Sequence, residues 1–163
     1  MLAKGKTTSV NNDAGQALEA ALRYLARREY SKTELKAKLR LKFTAEATDS
    51  ALKKCLENNW LSDERYAQML FEHMKHQYYG PLRFVMEAKR KGIGQELYQD
   101  LMEETDWCEV AASYLRKKFV RDEPISYQQK QKILASLYRR GFSNSDCIEA
   151  VESYFSCPDG EDF

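Results

Sequence analysis

Long apolar runs are missing from this sequence. No stretch approaches the roughly eighteen consecutive apolar residues that carry a chain across a bilayer, and the N-terminus has no apolar signal region. The expectation is a cytoplasmic protein with no membrane partner. Proline and glycine are sparse, three and seven in 163 residues, so breaks between elements are few. Nowhere do apolar and polar residues alternate at period two, and Val and Ile are scarce beside Leu, Ala, Glu, Lys and Arg, which argues against strands and for helices. The four cysteines, Cys55, Cys108, Cys147 and Cys157, contain no C-x-x-C pair, so neither a disulfide framework nor a zinc pattern is written here. They are expected to be reduced thiols that mostly fill core space. The two histidines, His73 and His76, lie three apart beside Glu72 and could begin a metal site, yet no third or fourth ligand is evident. A Gly-rich phosphate loop is also missing, and no nucleophile has an evident base. The expectation is no enzyme, no metal and no cofactor.

What is present is charge, strongly patterned. The net charge is only +1, but residues 1–45 hold ten Lys/Arg against four Asp/Glu, residues 75–91 five against one, and residues 116–140 eight against two. From Gly92 to Leu115 there are six acids and no Lys or Arg, and after Arg140 again six acids and no base. The molecule is polarised along its sequence, and three basic clusters at helix ends suggest a surface that meets a charged partner. Cations at a helix C-terminus also complement the dipole, which is the plainer use of each cluster taken singly.

The stretch Asn58–Ile93 carries the plan most clearly. Ser62, with Asp63 and Glu64 behind it, predicts a helix start, and Tyr66, Met69, Leu70 and His73 fall on one expected inner face. Gly80-Pro81 re-aims the chain, Pro81 opens a second helix, and Gly92 closes it after Lys89, Arg90 and Lys91. Trp60, Gly80, Pro81, Gly92 and Gly141 are the expected structural corners. Before this stretch, Asp13 to Gln16 and Ser31 to Glu34 have the capping-box form, predicting helices that end near Arg28 and Lys42. After it come an acidic helix with Leu97 and Leu101 inward, and a helix capped by Asp106 with Glu109 in the box position. That helix is expected to stop at Asp122-Glu-Pro124. A further one has Ile133, Leu134, Leu137 and Tyr138 inward, and the last carries Ile148, Val151, Tyr154 and Phe155 on one face.

Arg90-Lys91-Gly92-Ile93 and Arg139-Arg140-Gly141-Phe142 stand about fifty residues apart in similar settings, with a looser counterpart at Leu41-Lys42-Phe43-Thr44. The fold expected is therefore all-α: three tandem three-helix repeats forming an elongated, curved molecule. The divisions are a disordered arm over 1–12, repeats over 13–60, 61–105 and 106–155, and a frayed tail over 156–163.

Four runs together resemble one known family. ALRYLARREYSKTELKAKL (Ala21 to Leu39), WLSDERYA (Trp60 to Ala67), GPLRFVMEAKRKGI (Gly80 to Ile93) and KQKILASLYRRGF (Lys130 to Phe142) look like the bacterial regulatory protein RecX family, over about residues 17–155. Asn59 and Ser62 stand where that family commonly has Gly and Asp, Val85 where a second Arg is common, and Ala88 where Leu is usual. The resemblance implies a helical regulator, without a catalytic centre, that binds the filament of the RecA recombinase in DNA recombination, repair and the SOS response. It implies a monomer that meets single- or double-stranded DNA weakly or through the filament. The contact candidates are Arg23, Arg27, Arg28 and Lys32 in the first basic cluster. Arg83, Lys89, Arg90 and Lys91 form the second. Arg116, Lys117 and Lys118, with Arg139 and Arg140, form the third. The alternative is a tandem three-helix nucleic-acid-binding module in which basic helices meet phosphates directly.

Overall fold

The computed structural model describes residues 10–119 and 125–156. Among them are nine α-helices: α1 (Ala14–Leu25), α2 (Lys32–Arg40), α3 (Ala45–Glu57), α4 (Asp63–His76), α5 (Pro81–Arg90), α6 (Gln99–Glu103), α7 (Trp107–Lys118), α8 (Tyr127–Arg140) and α9 (Asn144–Ser156). The chain is all-α. Among the described residues no strand forms, although Asn11 N–H donates to the Lys42 carbonyl at 2.9 Å and Asn11 O accepts from Thr44 N–H at 2.9 Å. This pairing ties residue 11 down, so the end of the expected arm is ordered. The rest of that arm, the Asp122-Glu-Pro124 stop and the tail beyond 156 lie outside the described residues. No helix among them is long and apolar enough to cross a membrane.

The chain divides into two compact units, Met1–Tyr66 with Lys91–Ile93, and Ala67–Arg90 with Gly94–Phe163. In the first, α1, α2 and α3 enclose a core of Ala17, Ala21, Leu35, Leu39, Ala51, Leu52, Cys55 and Leu61. Small residues on α1 and α3 let their backbones approach closely. Each helix starts where a side chain takes up free N–H groups of the first turn: Asp13 accepts from Gly15 and Gln16 at 2.8 and 3.0 Å, Ser31 from Glu34 at 3.1 Å, and Thr44 from Ala47 at 3.3 Å. The reciprocal halves of the two expected capping boxes do not form. Gln16 turns its amide to the Asp13 carboxylate instead, and the Glu34 carboxylate pairs with Lys91. α1 and α2 also end earlier than expected. The chain turns after α1 to bury Tyr30, and after Arg40 the Lys42 and Phe43 N–H groups both turn to the Leu39 carbonyl, at 3.0 and 2.9 Å, which closes α2.

The second unit is centred on aromatic rings. Phe71 meets Phe84 and Trp107 edge to face at 5.0 and 5.8 Å, and Phe84 meets Tyr98 at 5.0 Å. Such pairs add about 0.5–1.5 kcal/mol each beyond area burial. Here the structure corrects the expected face of α4. Its buried residues are Tyr66, Ala67, Leu70, Phe71 and Met74, while Met69 and His73 are exposed. The inner stripe is set by the large ring at 71, so it lies one residue further round. Tyr138 and Ile148 likewise point outward, not in. The expected acidic helix is a 3-10 turn over Gln95–Leu97 followed by the five-residue α6.

A further core, of Ala111, Leu115, Ile133, Leu137, Phe142, Cys147 and Val151, joins α7, α8 and α9. α8 opens with a complete capping box between Ser126 and Gln129, at 2.8 and 3.2 Å. Asp106 accepts from Glu109 N–H at 3.0 Å, but the Glu109 carboxylate goes to Arg116 and Ser113, so that expected box is half made. Cys55, Cys108 and Cys147 are free thiols. Burial pushes the Cys147 thiol up to about 11, which leaves it uncharged at neutral pH.

Candidate partner-contact surface

The thirteen cations singled out in the sequence separate, once their surroundings are traced, into those that hold the protein together and those that face solvent. Lys91 is of the first kind. It follows α5 and pairs with Glu34 in the first turn of α2, both side chains about four-fifths covered. Gly92 beside it has φ +71°, and a Cβ there would stand 2.1 Å from Thr33 Oγ1, so only glycine brings the chain this close to α2. Burial alone would raise the Glu34 carboxyl pKa. The Lys91 ammonium, by hydrogen bond and charge, outweighs it with help from Tyr66 and Arg28, and holds the carboxyl below its ordinary value.

Arg140 is the second internal cation. Its Nη1 donates to the Gln77 carbonyl at 2.6 Å and the Tyr78 carbonyl at 3.3 Å, capping the end of α4. Its guanidinium lies 4.2 Å from the Tyr114 ring centre and 5.3 Å from that of Tyr79. The same corner splices α8 to α5 through backbone alone. Gly80 N–H donates to the Arg140 carbonyl at 2.8 Å and Leu82 N–H to the Gly141 carbonyl at 3.0 Å, so the carbonyl end of one helix meets the N–H end of another. Gly141 closes α8 at φ +87°. Pro81, as expected, is the first residue of α5. Trp60 remains 44 % exposed, and its turn is held by Asn59 at φ +56° and by Arg65, which reaches Asn59 Oδ1 at 2.9 Å and the Trp60 carbonyl at 3.2 Å. Asparagine tolerates that left-handed conformation better than most residues.

The remaining candidates are exposed. In the first unit Arg28 stacks on Tyr30, 3.6 Å from the ring centre, and Lys38 lies 5.4 Å from Tyr24. Arg23 and Arg27 line a groove of about 440 Å³ with Tyr24, Lys42 and Phe43, and Arg23 also pairs with Glu19. Lys32 is exposed at the start of α2, with its N–H on the Asp63 carboxylate at 2.7 Å. Sequence reasoning missed Lys38 and Lys42 as members of this basic and aromatic face; their spacing from Arg27 along the chain gave no sign of it. In the second unit Arg83 lies over Tyr79 at 4.3 Å, Arg90 pairs with Glu87, Arg116 with Glu109, and Lys117 stands 5.2 Å from the Tyr78 ring. Lys89, Lys118 and Arg139 are exposed. His76 Nδ1 lies 2.9 Å from the Glu72 carbonyl, and among the described residues no three ligand-bearing side chains gather as a metal would need. The chemistry available is that of fixed positive charge beside aromatic and aliphatic surface, suited to binding acidic groups.

Comparison with known proteins assigns this arrangement a lineage. Residues 17–55 match the model of the first three-helix domain of RecX, and residues 104–151 that of the third. The chain is 38 % identical over 139 residues to the regulatory protein RecX of Legionella pneumophila, covering 83 % of this chain and 92 % of that one. To the regulatory protein RecX of Haemophilus influenzae it is 33 % identical over 132 residues, covering 78 % and 87 %. The crystal structure of RecX from Lactobacillus salivarius superposes with a TM-score of 0.76 over 88 % of this chain and 97 % of that one, at 24 % identity.

Proposed function

Because this chain belongs to the RecX family, whose members are regulatory proteins and not enzymes, we propose that it binds the filament that the RecA recombinase forms on DNA and regulates it. It acts mostly as an inhibitor of ATP hydrolysis, filament growth and strand exchange, in the cytoplasm and as a monomer. The observation that carries this reading is the sorting of the cations. Lys91 is consumed by Glu34 and Arg140 by the cap of α4, and Arg83, Lys89 and Arg139 are presented outward from α5 and α8. A regulator that must seat on a large negatively charged assembly needs such pre-positioned charge, because ordering long side chains at the moment of binding costs affinity.

The test is the ATPase and strand-exchange activity of the cognate recombinase with and without this protein. Inhibition is expected at ratios well below one per recombinase subunit, since one bound molecule obstructs many. Equal affinity for bare single-stranded DNA and for the filament, with no effect on ATP hydrolysis, would instead favour a module that acts on DNA directly.

A further inference from the structure

Helix α5 is apolar on two opposite faces. Phe84 and Ala88 point into the second unit and are buried, whereas Leu82, Val85 and Met86, with Lys89 a turn further on, share the outer side. A helix lying on a core ordinarily turns charged residues to solvent. Here Leu82 is 57 % and Met86 73 % exposed, and Tyr138 of α8 adds a ring that is 45 % exposed. Leu82, Met86 and Tyr138 line a groove of about 480 Å³ between α5 and α8, with Arg83 and Arg139 at its rim and Gly141 in its wall. Glu87, the acid on that rim, pairs with Arg90, so the rim is net positive. The floor is rigid, because the Gly80 and Leu82 N–H groups are bonded to the last carbonyls of α8.

We propose that this groove is a docking site for a protein segment that presents apolar side chains flanked by carboxylates, a segment carried by the filament protein and not by the DNA. The inference rests on the function proposed above and names the chemistry of one contact within it. Charge complementarity selects the occupant. Arg83, Lys89 and Arg139 attract acidic groups, while Leu82 and Met86 offer aliphatic surface that phosphate does not want and on which a base does not stack as it does on a ring. The aromatic side chain in the groove, Tyr138, has its hydroxyl engaged with Asn144 Oδ1 at 2.5 Å. Methionine at the most exposed position suits an adaptable apolar contact.

The test is the L82S/M86S double variant against wild type. Binding is measured to recombinase filaments assembled on single-stranded DNA with a non-hydrolysable ATP analogue, and to bare single-stranded DNA, each at several salt concentrations. Both substitutions lie on exposed surface, so the melting temperature should not move. Filament affinity is expected to fall about tenfold or more at every salt concentration with the salt slope kept, and DNA affinity to stay as it was. Filament binding equal to wild type overturns the groove assignment and leaves the proposed function standing. An equal loss on bare DNA overturns it in favour of nucleic acid, and wild-type self-association that the variant abolishes does so in favour of a second copy of the chain. Failure of wild type itself to bind filament overturns the functional reading and the groove with it. Should L82S/M86S melt early, the single M86E change, which sets a carboxylate against the proposed acidic segment, must give the same loss.

Discussion

Alanine at position 80 sets two opposed effects against each other, and the structure decides which wins. An ideal Cβ at Gly80 would stand 2.4 Å from Gly141 O and 2.5 Å from both Gly141 C and Phe142 N, all of them backbone atoms that cannot swing aside. Ordinary contact begins near 3.4 Å, so α5 and α8 must part by about 1 Å, with overpacking strain of about 1–3 kcal/mol. That displacement carries the Gly80–Arg140 and Leu82–Gly141 hydrogen bonds, now 2.8 and 3.0 Å, beyond bonding distance. Their loss costs about 0.5–1.5 kcal/mol each. Against this, alanine restricts the unfolded chain and returns only about 0.4–1 kcal/mol. A net loss of about 2–4 kcal/mol lowers the melting temperature by roughly 5–15 °C for a chain of this size. Melts followed by circular dichroism measure it, and hydrogen exchange at the Leu82 amide should accelerate. A Gly80→Ala protein that melts at or above wild type would refute the close backbone splice.

Two further outcomes follow from the sorting of charges. The Glu34 carboxyl, held below its ordinary value of 4.5, contributes stability that is fully present above that value and is lost as pH falls through the lower folded value. Glu34→Gln should therefore melt below wild type at pH 7, with the gap narrowing as pH falls below 4.5; a gap unchanged in acid would show that packing, not charge, is what the substitution removes. The double change Lys89→Glu and Arg139→Glu should leave the melt nearly unmoved, yet reduce filament binding by orders of magnitude and flatten its salt dependence. Glu103→Lys with Glu104→Lys is the matched control, and equal losses from both pairs would indicate net charge alone.

Much of this molecule could be read before folding. Helix starts are local events, and Ser31, Ser62, Asp106 and Ser126 each accept the N–H expected of them, because a cap needs only a neighbour three residues on. Helix ends at Gly92 and Gly141 were legible for the same reason, since positive φ favours glycine. What was hidden depends on partners far along the chain. Lys89, Arg90 and Lys91 read as one cluster, but Glu34, 57 residues away, removes Lys91 from it, and the carbonyls of Gln77 and Tyr78 remove Arg140 from the pair at 139 and 140. The same long reach spoiled the capping box at Ser31, whose glutamate had a better-charged use. The inner face of α4 was misjudged because heptad spacing treats Met69 and Phe71 as equals, whereas the interior is arranged around the larger ring.

The three residues that complete the first unit also bear on how the protein can be dissected. Lys91–Ile93 belong with Met1–Tyr66 although α5 intervenes, so no single cut in the chain releases that unit whole. A fragment ending at Tyr66 would retain α1, α2 and α3 with their core, but would strip Glu34 of its ammonium and leave Arg28, at 3.4 Å, as the cation beside the carboxylate. With the ammonium gone its proton affinity would climb, and the fragment's melting would underreport the stability of the same helices in the intact chain. Limited proteolysis between α4 and α5 would strand the lysine on the wrong piece. The two products would reunite through the Phe71, Phe84 and Trp107 rings and the Arg140 cap of α4 as well as through the lysine, so fragment complementation compared with and without Glu34→Gln reads how much that returning loop matters.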